Sequence, residues 1–306
     1  MINKLVTVFT PTYNRRETLR ICYSSLLKQT SQNFKWQIID DGSTDETESL
    51  VKNWIDEGLL DIEFIRKKNG GKASAINISL EKSSTLLWLC LDSDDYLFPN
   101  AIEIIEKNYK SIEHKDDICG MFSLRANPDG SPMQNISIPK DLKLSTQNNI
   151  RYKLRIPPEY LHVFKTDIVR KYPYPIIEGE KYIPLSYIYD QLDEKYKYLI
   201  IHDSIMVCEY QLDGITNNKI NLIKKNPIGY ALYKEQLIKL APSYLLKIKS
   251  SITYISSCLL SRKNPLRISS YKLLVTLCFP LGIIDYFVRY RFNIKINLES
   301  INKARK

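Results

Sequence analysis

Three aspartates lie within residues 92–95 (DSDD), directly after the apolar run of residues 85–91 (TLLWLCL). An apolar run of that composition is typical of a strand that is buried on both faces in the middle of a parallel sheet. Carboxylates this close together repel one another unless a cation neutralises them, and hard divalent cations prefer oxygen ligands. The segment therefore indicates a metal site at a strand end. The alternative is a solvated turn before a helix whose first turn contains Pro99.

The segments after the first two predicted strands carry groups suited to a nucleotide. In residues 10–15 (TPTYNR) the Tyr13 ring could stack on a base, and the Arg15 guanidinium could donate to a phosphate. In residues 40–45 (DDGSTD) a carboxylate at the strand end could accept hydrogen bonds from a uracil imide or from ribose hydroxyls. The alternatives are a proline turn for the first segment and a helix N-cap at Ser43 for the second.

A fourth polar segment, residues 69–72 (NGGK), opens a predicted helix. Its glycines would let the backbone approach a diphosphate, and Lys72 would add a positive charge beside the helix N-terminus. Because a plain turn has the same composition, this motif is informative only together with the other three.

Strand and helix signals alternate through the first 120 residues, which predicts an α/β fold with a mostly parallel sheet flanked by helices. We expect strands at residues 5–9, 36–39, 62–65, 85–91, 118–124, 160–164, 198–201 and 205–210, and a later helix at 182–196. Ser43 and Glu46 form a capping-box pattern at the start of the second helix, and Gly58 suits its end. Since ligands of open α/β sheets bind outside the carboxyl ends of the strands, the four polar segments should meet at one edge.

The net charge of +10 is unevenly distributed. Residues 216–306 contain 17 Lys or Arg and 3 Asp or Glu, whereas residues 1–215 contain 27 and 31. This division predicts a mildly acidic catalytic domain at residues 1–215 and a basic helical region at 216–306, with an anionic surface as partner. No zinc-finger, RNP or helix-turn-helix pattern is present, so we expect a membrane surface and no nucleic acid.

The most apolar stretch, residues 273–288, has 16 residues, against the roughly 20 that cross a bilayer. Pro280, Gly282 and Asp285 interrupt it and basic residues flank it, so we expect it to lie in the membrane interface. The alternative is a helical hairpin packed on the catalytic domain or on a partner subunit.

Cysteine and histidine usage indicates neither disulfides nor zinc. The six cysteines show no CxxC spacing, and the three histidines are far apart in sequence and are interpreted as structural. The N-terminus has no signal-peptide pattern. We therefore expect reduced thiols and a cytoplasmic protein that is peripheral on the inner face of the cell membrane.

Taken together, four strings resemble glycosyltransferase family 2 with the GT-A fold. They are VTVFTPTYNRRETL, IIDDGSTDET, NGGKASAIN and LLWLCLDSDDYLFP, they occur in the family's order, and the match covers roughly residues 4–110. The resemblance implies a Rossmann-like nucleotide-sugar domain with a DxD-type metal site that uses Mn²⁺ or Mg²⁺.

The resemblance also implies roles for individual residues. Those implied to bind the nucleotide sugar are Pro11, Tyr13, Arg15, Asp40, Asp41, Lys72, Asp92 and Ser93. Asp92 and Asp94 would hold the metal ion, with Asp94 as the better candidate for the direct ligand, and Asp95 would support them. The metal, with Lys72 or Arg15, would offset the charge that develops on the leaving diphosphate.

An inverting transfer also needs a carboxylate that accepts the proton of the attacking hydroxyl. Residues 176–182 (IIEGEKY) resemble the position where family members have that base, and Glu180 matches best, with Glu178 as the runner-up. Lys181 stands where the usual pattern has Asp. The alternative for Glu180 is a first-turn carboxylate stabilised by the helix dipole, an effect of up to about 1 kcal/mol.

The expected activity is a metal-dependent, inverting transfer of a sugar from a UDP-linked donor to a hydroxyl of a glycan or lipid-linked acceptor in surface-polysaccharide synthesis. One alternative is a sugar-phosphate nucleotidyltransferase, which would need a glycine- and arginine-rich loop where this chain has TPTYN. The other is a non-catalytic, membrane-associated glycan-binding or scaffold protein that has kept the fold. The presence of Asp94 and Glu180 argues against that second alternative.

Overall fold

The structure is a computed structural model that describes residues 4–133, 137–157, 159–208 and 219–292. The chain divides into two compact units. Among the described residues, the first unit contains 4–176 and 185–208, and the second contains 177–184 and 219–292. The segment 177–184 therefore lies between two parts of the first unit in sequence but belongs to the second unit.

The first unit alternates strands and helices over most of its length. Its elements, in chain order, are β1 (Val6–Thr12), α1 (Arg16–Leu27), β2 (Phe34–Asp40), α2 (Thr47–Glu57), β3 (Ile62–Arg66), α3 (Lys72–Lys82), β4 (Leu87–Cys90), β5 (Asp95–Leu97), α4 (Ala101–Tyr109), β6 (Ile118–Leu124), β7 (Leu144–Ser145), β8 (Tyr160–Lys165), α5 (Thr166–Val169), α6 (Ser186–Leu192), β9 (Lys197–Ile201) and β10 (Met206–Cys208). A π-helical turn, Asn149–Lys153, precedes β8.

The main sheet has the strand order β3-β2-β1-β4-β8-β6-β9-β7, and β5 pairs separately with β10. β1 lies between β2 and β4 and is parallel to both, and the pairs β2–β3 and β6–β9 are also parallel. The pairs β4–β8, β6–β8 and β7–β9 are antiparallel. With helices between its first strands, this arrangement confirms the predicted mostly parallel α/β fold.

An apolar core holds the central strands in place. Val8, Ile38 and Leu89, one from each of three neighbouring parallel strands, have no exposed surface. Between the first two helices, Tyr23 stacks on Trp54 with ring centroids 4.2 Å apart. Burial of each such aliphatic side chain stabilises the fold by about 2 kcal/mol, so the ends of these strands are firmly positioned.

The predicted capping box at the start of the second helix is wrong. The helix α2 begins at Thr47. The Ser43 hydroxyl donates to the buried carboxylate of Asp40 and accepts from the Asn14 backbone N–H rather than from a helix amide. A buried carboxylate without donors costs more free energy than an exposed helix end, so Asp40 takes the hydroxyl. Asp45 instead accepts from the Thr47 backbone N–H at 3.1 Å. Gly58 ends α2 as predicted, with a φ of 66°.

The helix predicted at residues 182–196 is shorter than expected. It is limited to α6, Ser186–Leu192. Pro184 accounts for the late start, because the residue before a proline is disfavoured in helical conformation. The strand predicted at 205–210 is present as β10, and residues 209–210 lie outside the described part of the chain.

The second unit is helical. Its elements are α7 (Lys219–Lys225), α8 (Pro227–Leu240), α9 (Tyr244–Leu260), α10 (Pro265–Ile268) and α11 (Lys272–Tyr286), which a π-helical turn, Phe287–Arg291, continues. Ile238 of α8, Ile255 of α9 and Val275 of α11 form part of its core. All six cysteines of the chain are free thiols.

Candidate active site at the carboxyl edge of the sheet

The carboxyl ends of β1, β2 and β4 lie side by side. Thr12 of β1 is paired with Asp40 of β2, and Phe9 of β1 is paired with Cys90 of β4. The structure therefore brings residues 10–15, 40–45 and 92–95 to one edge of the sheet.

Asp41 joins two of the polar segments. Its Oδ1 accepts hydrogen bonds from the Gly70 backbone N–H, at 2.8 Å, and from the Lys67 ammonium. Its Oδ2 accepts from the Gly71 backbone N–H at 2.7 Å. Gly71 has a φ of 84°, which few other residues adopt. The carboxylate of Asp41 thus orders the loop that opens α3, and Lys67 is a partner that the sequence reasoning missed.

Asp40, at the end of β2, has no exposed surface. Its Oδ1 accepts from the Ser43 backbone N–H at 2.9 Å and from the Ser43 hydroxyl. Its Oδ2 is buried and has no hydrogen-bond partner among the described residues, and the Arg66 Nε lies 3.5 Å away. Ser43 also accepts from the Asn14 backbone N–H at 2.9 Å, which ties residues 40–45 to the loop after β1.

The loop after β1 presents an aromatic ring to solvent. Tyr13 is 48% exposed, so one of its faces is available for stacking, and the neighbouring Pro11 is partly exposed. Arg15, two residues later, lies close enough to Asp94 to act on the pKa of that carboxyl. The nucleotide roles of these residues remain predictions.

Asp92 forms an ion pair with Lys72, the first residue of α3. Burial disfavours the charged forms of both groups, but their mutual attraction outweighs it, so the pKa of Asp92 is lowered and the pKa of Lys72 is raised. The Cys22 thiol donates to the Asp92 carbonyl at 3.2 Å, which anchors the turn after β4. Ser93, between the first two aspartates, is buried.

Asp94 has less compensation than Asp92. Burial and the negative charge of Asp92 raise the pKa of Asp94, and Arg15 only partly offsets them. An added positive charge beside Asp94 would therefore favour its ionised form.

A divalent cation fits this electrostatic pattern. Among the residues that the structure describes, no group of three or more His, Cys, Asp or Glu side chains could hold a metal ion by itself. A cation bound to Asp94 would therefore take most of its oxygen ligands from a bound diphosphate and from water.

Arg125 is a further site residue that the sequence reasoning missed. It follows β6, which runs in the same direction as β4, so it lies at the same edge of the sheet. Burial opposes its charge, but Asp95 and Asp92 outweigh this and raise the pKa of Arg125. In turn, burial and Asp92 raise the pKa of Asp95 to about 7, with Arg125 opposing them. The sequence feature that could have identified Arg125 is its position directly after the strand predicted at residues 118–124.

A polar cavity of about 200 Å³ adjoins Arg125. Its walls include Arg125, Gln147, Arg151, His162, Tyr189 and Asp190. Tyr189 connects the cavity with the carboxylate site, because the charges of Lys72 and Asp92 act on the pKa of its hydroxyl. Amides, guanidinium groups and aromatic rings in one cavity can bind the hydroxyls and the apolar face of a sugar ring.

His162 supplies the buried wall of this polar cavity. Its ring is parallel to Phe164, with centroids 5.4 Å apart, and lies 4.5 Å from the ring of Tyr189. Burial and Arg125 lower the pKa of His162 to about 3, so the imidazole is neutral near pH 7. Its Nε2 has no hydrogen-bond partner among the described residues. The packing agrees with a structural role, and the Nε2 is a buried polar atom that lies without a partner in the described part of the chain.

A larger cavity, of about 440 Å³, lies between α1 and the segment around β5. It is open and mostly apolar, with Ile21, Leu97 and Phe98 in its walls, and no acidic residue is among those that line it. The chemistry at the sheet edge therefore favours the smaller polar cavity as the substrate site.

Glu180 and Glu178 lie in the second unit. The Glu180 Oε1 accepts from the Ile228 backbone N–H at 2.8 Å, and its Oε2 accepts from the Gly229 backbone N–H at 2.7 Å. These amides belong to the first turn of α8, so the carboxylate caps that helix rather than α6. Glu178 is exposed. The assignment of either residue as a base remains a prediction.

The chain matches the family model described as Glycosyl transferase family 2 over residues 7–172. It is 35% identical over 132 residues to the chondroitin synthase of Pasteurella multocida, a match that covers 43% of this chain and 13% of that protein. The chain therefore spans a small part of the length of this curated relative.

Two solved structures share the fold at low sequence identity. Staphylococcus aureus TarS 1–349 in complex with UDP-GlcNAc is 16% identical, with a TM-score of 0.59 over 92% of this chain and 89% of that chain. The mannosyltransferase PcManGT from Pyrobaculum calidifontis, in complex with GDP-Man and Mn²⁺, is 14% identical, with a TM-score of 0.55 over 94% and 88%.

Proposed function

The chain belongs to glycosyl transferase family 2, and from that membership we propose that it transfers a hexosyl or N-acetylhexosaminyl group from a UDP-linked donor to a glycan or lipid-linked acceptor. The observation that carries this proposal is the ion pair of Lys72 and Asp92 beside the undercompensated Asp94, at the carboxyl end of β4. The complex of TarS with UDP-GlcNAc supports a UDP donor, and the similarity to a chondroitin synthase supports a role in surface-polysaccharide synthesis.

The nucleoside is proposed to bind over the loops after β1 and β2. The exposed ring of Tyr13 would stack on the uracil, and Pro11 would support it. Both carboxylate oxygens of Asp41 already accept hydrogen bonds from the loop that opens α3, and the residue is only 7% exposed. Asp41 would therefore hold that loop in shape beside the base or ribose. Asp40, which is fully buried, would act through Ser43 and the loop.

The diphosphate is proposed to lie between Lys72, Arg15 and Asp94. Lys72 and Arg15 would balance part of the charge that develops on the leaving group. Asp94, and Asp92 beside it, would hold Mn²⁺ or Mg²⁺ together with the diphosphate oxygens. When bound, the ion supplies Lewis-acid stabilisation of the leaving diphosphate.

The sugar is proposed to occupy the polar cavity beside Arg125. Arg125 lines that cavity, and the charges of Asp92 and Asp95 act on its guanidinium group. This position suits contact with a sugar attached to the diphosphate, or with the hydroxyl that attacks that sugar. In an inverting transfer the acceptor oxygen attacks the anomeric carbon from the face opposite the leaving group, and a carboxylate accepts its proton. Glu180 is the proposed base and Glu178 the runner-up.

Donor specificity and metal dependence provide the first test. The full chain would be titrated with UDP and with GDP, with and without Mn²⁺, and UDP release would be measured from a panel of UDP-sugars. We expect tighter binding of UDP in the presence of Mn²⁺, and loss of that enhancement in Asp94→Asn. Equal affinity for UDP and GDP would exclude a UDP-specific donor site, and an unchanged Mn²⁺ effect in the variant would exclude Asp94 as ligand.

The same panel separates the alternative functions. A glycosyltransferase releases UDP from at least one UDP-sugar, slowly to water and faster when an acceptor is present. A nucleotidyltransferase, assayed separately with UTP and a sugar 1-phosphate, would instead form the UDP-sugar and release pyrophosphate from UTP. A protein that binds UDP-sugars but releases no UDP from any of them, with any acceptor fraction, would be non-catalytic.

A further inference from the structure

The helix α11 is apolar on both of its faces. One face packs inside the second unit, where Val275, Cys278 and Gly282 are buried. A Cβ at Gly282 would lie 2.4 Å from the Ile255 side chain, so α11 and α9 touch closely there. The opposite face is the leucine face, formed by Leu273, Leu277, Leu281 and Ile284. These four side chains are 77%, 70%, 50% and 57% exposed.

The leucine face is continuous, and the polar groups along it do not depend on water for hydrogen bonds. Its members are spaced by four, four and three residues, which places them along one stripe of a helix. Thr276 lies on the same stripe, and its hydroxyl donates to the Lys272 carbonyl at 2.8 Å. Pro280, also on that stripe, has no backbone N–H. A solvent-exposed stripe of this length without an unsatisfied polar group marks an interaction surface.

The charge around the leucine face is strongly positive. Residues 219–292 contain 13 Lys or Arg and 2 Asp or Glu. Lys272 and Arg291, at the two ends of the stripe, are exposed. Asp285 does not offset them, because it pairs with Arg289 at 2.9 Å and accepts from the Ser256 hydroxyl at 2.7 Å. An apolar stripe between cationic ends is complementary to anionic lipid headgroups above acyl chains.

We propose that the leucine face lies in the interfacial layer of an anionic bilayer, with α11 parallel to the membrane surface. The helix Lys272–Arg291 is long and apolar enough to cross a bilayer by length and composition. Its other face is occupied by α9, and crossing would carry the pair of Asp285 and Arg289 into hydrocarbon at a large cost. The interfacial arrangement keeps the packing with α9, leaves the charged groups near water and buries only the leucine face.

The test uses the full chain with phosphatidylcholine vesicles that contain or lack phosphatidylglycerol. We expect co-flotation with the anionic vesicles, much weaker association with the neutral ones, and release by high salt only in part, because the apolar contact remains. The double variant Leu277→Gln and Leu281→Gln should partition roughly tenfold less into anionic vesicles. UDP binding and the thermal midpoint, measured on the same samples, would show that the variant is folded.

The matched control is Leu59→Gln, which removes an equally exposed leucine, 62% accessible, from the first unit. It should bind vesicles like the unaltered chain. Lys272→Gln with Arg291→Gln should weaken the preference for anionic over neutral vesicles, because it removes the positive charge at both ends of the leucine face.

Three outcomes would overturn the proposal. Unaltered vesicle binding in the leucine-face variant would remove the face as the contact. Resistance of the unaltered chain to alkaline carbonate extraction would indicate a spanning helix. A change from oligomer to monomer in the variant without lipid would assign the face to a second copy of the chain.

Discussion

Lys72 and Asp92 form an ion pair that joins the first turn of α3 to the turn after β4. The pair lies at the edge of the sheet where the strands end, and it leaves Asp94 as the carboxylate with less compensation. Lys72 lowers the pKa of Asp92, and in the proposed function it has a second role as a positive charge for the diphosphate.

Substitution Lys72→Met tests these two roles. Loss of the ammonium removes a charge-assisted contact worth about 1.5–3 kcal/mol and leaves Asp92 to repel the diphosphate, so UDP affinity should fall by roughly 10–100-fold. Isothermal titration with UDP in Mn²⁺ measures the change. The control Lys68→Met removes an exposed lysine four residues earlier and should bind UDP normally. Equal affinities in the two variants would place the diphosphate away from Lys72.

Stability should depend on Asp41 far more than on an exposed acid of the first unit. Asp41→Asn replaces an oxygen that accepts from Gly70 or Gly71 with an amide donor, and it leaves Lys67 without its carboxylate. We expect the free energy of unfolding to fall by about 3 kcal/mol. Urea unfolding followed by tryptophan fluorescence measures it. Asp56→Asn, on the exposed surface of α2, should change stability by less than about 0.5 kcal/mol.

The sheet edge could be predicted from sequence because its motifs are local. The carboxylates at positions 41 and 92 directly follow apolar strands, and adjacent parallel strands end at one edge. The partners of these groups could not be predicted, because they depend on contacts between distant segments. Asp41 bonds to amides 29 and 30 residues away, and Arg125 reaches the site only through the pairing of β6 with β8.

The same limit applies to the groups that cap the helices. A capping box at Ser43 is a reasonable local pattern. However, the sheet buries Asp40, and the buried carboxylate accepts the hydrogen bond of the Ser43 hydroxyl. The capping of α8 by Glu180 joins residues 48 and 49 positions apart, which no local pattern encodes. Local signals therefore identified the strands and motifs, whereas tertiary contacts decided the hydrogen-bond partners.

Asp193 should give the folding stability a measurable pH dependence. Burial raises the pKa of Asp193 to about 7, although its carboxylate accepts from the backbone N–H of Asn148 at 2.6 Å and of Gln147 at 3.1 Å. The folded state then binds more protons than the unfolded state between about pH 4 and 7. The contribution of Asp193 is fully present below the unfolded pKa and is lost as the pH rises through the folded pKa.

Asp193→Asn should flatten that dependence. Unfolding free energies would be measured by urea titration at several pH values across this window for both proteins. The stability of the unaltered chain relative to the variant should decrease as the pH rises. A constant difference across the window would show that Asp193 does not titrate with a raised pKa. Because Gln147 and Asn148 line the polar cavity, donor and acceptor KM values measured in parallel would report any change in its walls.

His162→Phe separates packing from ligand binding in the polar cavity. Phenylalanine keeps the stacking with Phe164 and Tyr189, and it removes a nitrogen that has no partner among the described residues. The thermal midpoint should therefore stay the same or rise. If a sugar hydroxyl bonds to the Nε2, the KM for donor or acceptor should increase by about tenfold, the value of one hydrogen bond. Unchanged kinetics together with unchanged stability would restrict His162 to packing.

Glu180→Gln tests the proposed base against its observed role at α8. As a base, Glu180 should contribute about 10²–10⁴-fold to transfer, so kcat should fall by that factor while UDP affinity stays constant. As a cap, its charge stabilises the helix N-terminus by about 1 kcal/mol, and a glutamine would retain one of the two hydrogen bonds to Ile228 and Gly229. The base role therefore predicts a change in the transfer rate, and the cap role predicts a change in the free energy of unfolding.

Single-turnover transfer and urea unfolding would be recorded for Glu180→Gln and for the matched variant Glu178→Gln, in which the replaced Glu178 side chain is exposed. A lowered stability with near-normal transfer in the first variant, and a loss of transfer in the second, would move the base to Glu178 and leave Glu180 as the cap of α8.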